Sequence, residues 1–196
     1  MDKLLLGIDI GTTGTKAAIF NLGGQLQAIG HSEYEVSIPD SGWAEQDPEI
    51  WWKAVCKAIR YALHQIPDGP ERVKALAVSS QAPTMLPLNK KGQPVRPALI
   101  WMDRRAEKES QFLKNNMGEG AIEEITGNHP DPFYVASKLL WFKTHEPENF
   151  AHTSTFIQAN GYINYRLTNK YSLDNVHASL LQLRNYKKDE WCVELC

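Results

Sequence analysis

The sequence predicts an α/β fold, with a mixed sheet that starts as an antiparallel three-strand meander and is flanked by helices. Three observations carry this expectation. Short β-type runs open the chain and are joined by turn clusters with no helix between them. An Asp-Pro pair at Asp47-Pro48 then starts a strongly periodic helix. Beyond it, strand-like apolar runs alternate with helical stretches.

Leu4–Ile10 is an apolar run interrupted only by Asp9 and forms the first predicted strand. Thr15–Phe20 resumes with β-branched and apolar residues, Asn21–Gly24 is a turn cluster, and Gln25–His31 gives the third strand. Two such turns favour a meander over the strand–helix–strand opening of a Rossmann fold. A polar loop at Pro39-Asp40-Ser41-Gly42 leads to Trp43-Ala44-Glu45-Gln46-Asp47-Pro48. Asp47 is placed to cap the helix and Pro48 to occupy its first position. Trp51, Trp52, Val55, Ile59 and Leu63 recur at helical steps, so the helix is expected through about Gln65, with the tryptophans as packing residues. Val73–Ser80 reads as a short buried strand and Pro94–Trp101 as another. Helices are expected at Arg104–Asn116, Ala136–Thr144 and Gly161–Leu167, and Asp189–Cys196 reads as the start of one more.

The chain has 196 residues, 42% hydrophobic and 22% charged, with 21 basic against 23 acidic side chains and a net charge of −2. That is the make-up of a globular domain. The basic residues are dispersed, which argues against a nucleic-acid groove or a membrane surface. No apolar stretch approaches the roughly 18 residues of a membrane span. The opening MDKLLLGIDIG is too short an apolar run for a signal peptide, so the cytoplasm is the expected location. Of the three cysteines, Cys56 reads as a small core residue, while Cys192 and Cys196, four apart, would share a helix face. None has zinc-ligand spacing.

Gly7-Ile8-Asp9-Ile10-Gly11-Thr12-Thr13-Gly14-Thr15-Lys16 carries the chemistry. Gly11 and Gly14 allow a tight turn and close approach to a ligand. Their N–H groups, with the hydroxyls of Thr12 and Thr13, can donate to phosphate oxygens. Asp9 can hold Mg²⁺ directly or through water, and Lys16 adds positive charge. A carboxylate inside so apolar a strand reads as buried, at a cost of several kcal/mol unless paired. The motif is no Walker loop, which ends in Gly-Lys-Ser/Thr before a helix.

This pattern resembles the first phosphate motif of the actin-like ATPase superfamily, with its ribonuclease H-like fold, shared by sugar kinases, Hsp70 chaperones and actin. Later segments resemble the FGGY carbohydrate kinases, xylulokinase-like members most of all. They are Trp43–Pro48 with Ile50-Trp51-Trp52, Ser79-Ser80-Gln81 and Arg96–Arg105. Thr126-Gly127-Asn128, Ser137–Trp141, His145–Glu148, and Asp174 with Ala178-Ser179 follow in order.

The resemblance implies ATP and Mg²⁺ as cofactors and a small sugar or polyol as acceptor, bound near Gln81, Ala82, Pro83, Trp101, Asp103 and Arg104. Hydroxyls need polar partners and C–H faces need an aromatic wall, which Trp101 can supply. Trp101 equally reads as a core residue closing a strand, and Asp103 as the cap of the next helix. Lys138 reads as a solvated helix residue, Asp174 as a turn acid and His177 as structural. Ala82-Pro83 stands where xylulokinases resemble Met-His and glycerol kinases Arg-Glu. Asp131-Pro132-Phe133 replaces the Asp-Pro-Tyr of glycerol kinases, so a ketopentose such as xylulose fits better than glycerol. Residues 1–196 are expected to form the family's N-terminal domain, incomplete at its C-terminal end. The general-base aspartate and the adenosine-binding domain would lie beyond Cys196, leaving the fragment inactive and the full-length protein free to form a homodimer. The alternatives are a gluconate or glycerol kinase of the same fold, or a non-enzymatic actin-like binding module.

Overall fold

The computed structural model describes residues 2–196. In chain order the strands and helices begin with β1 (Leu4–Ile10), β2 (Gly14–Asn21), β3 (Leu26–Glu33), β4 (Glu45–Gln46), α1 (Pro48–Leu63) and α2 (Gly69–Arg72). They continue with β5 (Val73–Ser80), β6 (Leu86–Leu88), β7 (Ala98–Leu99), α3 (Glu107–Met117), α4 (Glu119–Thr126) and α5 (Val135–His145). The last are α6 (Pro147–His152), β8 (Thr155–Ile157), α7 (Ala159–Thr168), α8 (Asn175–Ser179), β9 (Arg184–Asn185) and β10 (Glu190–Trp191). The chain groups into two compact units.

Among the described residues, the first unit holds 2–36, 47–81 and 159–170. Its sheet runs β3-β2-β1-β5, with the meander antiparallel and β5 parallel to β1. Alternation along β1 sends Leu4, Leu6, Ile8 and Ile10 to one face, where all are buried, and Leu5 and Asp9 to the other, where both are exposed. α1 packs on β2 and β3, burying Trp51, Ala54, Val55, Ala58 and Ala62. The approach is close: a Cβ at Gly30 would stand 2.1 Å from the Ala58 carbonyl oxygen, so only glycine fits there. Asp47 caps α1 as expected, its Oδ1 accepting the Glu49 N–H at 3.0 Å.

Two details differ from the sequence reading. β5 is mostly exposed, because it is an edge strand with one face uncovered. Cys56 is half-buried on α1.

The second unit holds residues 37–46, 82–158 and 171–196. Its core gathers Met85, Leu99, Ala106, Val135, Trp141 and Phe142, with Trp43 packed against it. The expected strand at 94–101 shrinks to β7, because Pro94 and Pro97 lack the N–H groups a ladder needs. The helix expected from Arg104 starts at Glu107. The expected C-terminal helix is absent: Asp189 takes a left-handed φ of 60°, and Glu190–Trp191 pairs with β9 as a strand. Cys192 is buried and Cys196 exposed, so they share no helix face.

Candidate functional site

The turn between β1 and β2 is built by its own backbone and by one tyrosine. Gly11 N–H donates to Gly14 O at 2.8 Å, and Tyr34 N–H to Thr13 O at 3.0 Å. The Tyr34 hydroxyl donates to Gly11 O at 2.7 Å, and burial pushes its pKa up. A Cβ on Gly11 would lie 3.0 Å from Gly14 O, and one on Gly14 would lie 3.0 Å from Ser32 O. Both glycines therefore shape the turn, and the Gly11 amide is taken up within it rather than offered to a ligand. Tyr34 lies 23 residues from Gly11, and no local pattern marks it.

Asp9, Gly11, Thr13, Gly14 and Lys16 line one depression of about 340 Å³, together with His31 and Glu33. Asp9 faces Lys16 across the β1–β2 ladder and Ser79 across the β1–β5 ladder. The expectation of a buried Asp9 is overturned. The strand's two-residue period puts it on the uncovered face of the sheet, so no burial cost demands a partner for it. At the end of β5, Gln81 N–H donates to Ile10 O at 2.7 Å, which fixes the start of the expected substrate loop beside β1. The next peptide bond, Ala82-Pro83, is cis.

In the second unit the Trp101–Arg105 segment divides by exposure. Trp101 is 38% exposed. Asp103 is fully buried and does not cap α3, whose first turn has no side-chain cap. Its carboxylate accepts the Ala44 N–H at 2.6 Å and the Arg105 N–H at 3.1 Å. Arg105 also grips it through Nε, at 2.9 and 3.0 Å, and through one terminal nitrogen at 2.8 Å. Arg105 in turn pairs with Glu45 and lies 3.7 Å from the Trp43 ring centroid. Arg104 points elsewhere, to Asp131 at 2.6 Å. Its guanidinium thus bridges two loops.

Lys138, expected in solvent, is fully buried on α5. Its Nζ donates to Ile100 O at 2.8 Å and to Phe133 O at 3.0 Å. Burial pulls its pKa down to about 7 from 10.5, against the attraction of Asp103. Between these two values the unfolded chain holds a proton that the folded chain releases, so stability rises with pH across that window. The penalty, on the order of a few kcal/mol, is full below pH 7. Lys138→Met is expected to flatten this rise, read as urea midpoints of both proteins at pH 6.5 and 9.5.

His177 is buried, with its Nδ1 2.7 Å from Asp174 Oδ2. Asp174 is more than a turn acid: its Oδ1 accepts the His177 N–H at 3.0 Å and caps α8.

With this geometry in view, the sequence matches the profile of the FGGY family of carbohydrate kinases, N-terminal domain, over residues 4–196. The chain belongs to that family. Among curated FGGY relatives, the xylulose kinase of Escherichia coli is 33% identical over 96% of this chain and 38% of its own length. The glycerol kinase of Thermococcus onnurineus is 33% identical over the whole chain and 40% of its own. Among solved structures, the xylulose kinase from Rhodospirillum rubrum superposes with a TM-score of 0.94 at 27% identity, covering 98% of this chain and 40% of that one. The gluconate kinase from Lactobacillus acidophilus gives 0.93 at 29%, covering all of this chain and 39% of that one. The chain therefore spans about 40% of the length of the kinases it matches. The actin-like mixed sheet expected from the phosphate motif is present in β3-β2-β1-β5.

Among the described residues no group of three or more His, Cys, Asp or Glu side chains could hold a metal ion, and no helix is long and apolar enough to cross a membrane. The donor set still fits Mg²⁺ in company with phosphate. That ion is ordinarily held by one or two carboxylates plus phosphate oxygens and water, and Asp9 stands uncovered beside the glycine turn.

Proposed function

We propose that a protein carrying this domain at the full length of its relatives transfers the γ-phosphate of ATP to a hydroxyl of a ketopentose such as xylulose, in the cytoplasm. The observation that carries this is that Asp9, Gly11, Thr13, Gly14 and Lys16 together line one depression. Mg²⁺ bound with the nucleotide would offset the charge of the transferring phosphoryl group. Asp9 would hold that ion, Lys16 would add positive charge, and the Thr12 and Thr13 hydroxyls would face phosphate oxygens. The glycine turn keeps the backbone low enough for a ligand to approach.

On the acceptor side, Trp101 would cover the sugar's C–H face. The loop at Ala82-Pro83 would leave room for the chain of a pentulose. Asp103 would act by holding Ala44 and Arg105 in place, since its oxygens already serve both. The base for the hydroxyl proton would come from beyond Cys196, so residues 1–196 alone would turn over no sugar.

Phe133 lacks the hydroxyl with which a tyrosine could bind a small triol, and a site without that partner discriminates against it. A coupled ADP-release screen of the full-length protein tests this with ketopentoses, glycerol and gluconate. A ketopentose is expected to give the highest kcat/KM, with glycerol about a hundredfold lower. Glycerol as the fastest acceptor would overturn the ketopentose assignment. Turnover of none would favour a non-enzymatic binding module.

A further inference from the structure

Two loops of the second unit are joined twice, once in the dry interior and once at the surface. Inside, the Lys138 Nζ reaches Ile100 O at 2.8 Å and Phe133 O at 3.0 Å. Ile100 immediately precedes Trp101, and its carbonyl also accepts the Asp103 N–H at 3.0 Å. Phe133 ends the Asp131-Pro132-Phe133 turn, where Asp131 Oδ1 accepts the Phe133 N–H at 2.7 Å. Outside, the guanidinium of Arg104 meets the same Asp131 carboxylate at 2.6 and 3.3 Å.

The two clamps differ in strength. The Arg104–Asp131 bridge is 48% and 39% exposed, where water and salt screen it. The Lys138 bonds have no competing water and gain from the low local dielectric. An amine in this position keeps N–H donors for both carbonyls whether charged or neutral. Packing alone does not require a lysine: Val135, Ala136, Trp141 and Phe142 of the same helix are buried, and a methionine would suit such surroundings at no desolvation cost. A buried amine at such a place breaks a local rule, as residues retained for function do.

We propose that Lys138 is a positioning residue that holds Ile100 and Phe133 together and so sets the spacing between the Trp101 and Phe133 rings against which the acceptor sugar lies. This rests on the assignment of those loops to the acceptor under the proposed function. The spacing matters because an aromatic wall discriminates only when its distance from the polar side of the site is fixed. Lys138 touches neither acceptor nor nucleotide; it acts through two backbone carbonyls.

The test compares wild-type full-length protein with Lys138→Met and Lys138→Gln. Steady-state kinetics are run on the best sugar from the screen, and hydrogen exchange is followed over residues 98–106 and 130–135. For Lys138→Met the sugar KM is expected to rise at least tenfold while the KM for ATP stays within twofold. Exchange in both segments should be at least tenfold faster. Lys138→Gln keeps N–H donors and should recover part of each effect. A sugar KM within twofold of wild type, or an equal rise in the KM for ATP, overturns the proposal. If Lys138→Met fails to fold, Lys138→Gln carries the same comparison, with smaller shifts in the same direction expected and none overturning it. A wild type that turns over no sugar removes the kinase assignment instead, while unchanged exchange in the variant would remove the clamp whatever the activity.

Discussion

On the proposed function, Asp9→Ala is expected to lower kcat of the full-length protein by about a thousandfold or more while leaving the fold intact. The two halves of this expectation come from the same fact. Asp9 lies on the uncovered face of β1, outside the packed layer of Leu4, Leu6, Ile8 and Ile10, so its removal opens no cavity. Surface substitutions away from such features change stability by roughly half a kcal/mol at most. Phosphoryl transfer depends almost wholly on positioning and charge stabilisation, so losing the carboxylate proposed to hold the cation would remove stabilisation felt chiefly in the transition state. The kinetic signature is a fall in kcat and kcat/KM together, with the sugar KM little changed. Thermal melting should shift by no more than a degree or two. Near-normal turnover would refute the role of Asp9, and a large loss of stability would show that it is structural after all.

Much of the first unit was legible because its signals are local. The apolar run at Leu4–Ile10, a turn cluster at Asn21–Gly24 and the Asp47-Pro48 cap each involve residues within a few positions, and each appears where expected. The burial of Asp9 was misjudged for a physical reason. An all-apolar strand suggests cover on both faces, yet in this chain only the α1 side is packed. The C-terminal stretch misled in a different way. Its helical spacing was read without the left-handed backbone at Asp189, which hydrogen-bonds to Asn185 O at 2.9 Å and turns the chain into a hairpin.

The site was legible where a motif names it and hidden where distant residues build it. Gly11 and Gly14 stand out in the sequence, but Tyr34, which ties down the same turn, does not. Lys138 could have been suspected. Lys138 falls on the helical stripe of Val135, Leu139 and Phe142, and a lysine on such an apolar face must be either exposed at a seam or held by partners. Those partners, Ile100 and Phe133, are backbone carbonyls, which leave no trace in side-chain pattern.

Asp103→Ala is expected to destabilise the chain by about 3–5 kcal/mol, the cost of removing one partner from a buried ion pair. Asp103 and the Arg105 side chain are 0% and 1% exposed, so no water can replace what is lost. The substitution strands the Ala44 N–H and leaves a guanidinium facing Glu45 alone, beneath Trp43 and Trp141. Glu45 is already shared with Arg96, which also binds Glu146 at 2.6 Å, so it has little capacity to compensate. With a urea dependence of about 2 kcal/mol per molar, the midpoint should fall by roughly 1.5–2.5 M. Asp103→Asn keeps an oxygen for the Ala44 N–H but not the charge, and should fall between wild type and alanine. A side chain that served only as a sugar ligand would behave otherwise, with an unchanged midpoint and a raised KM in the full-length kinase. The order wild type, asparagine, alanine in midpoint therefore separates a residue that holds the Trp101–Arg105 segment in place from one that would touch an acceptor.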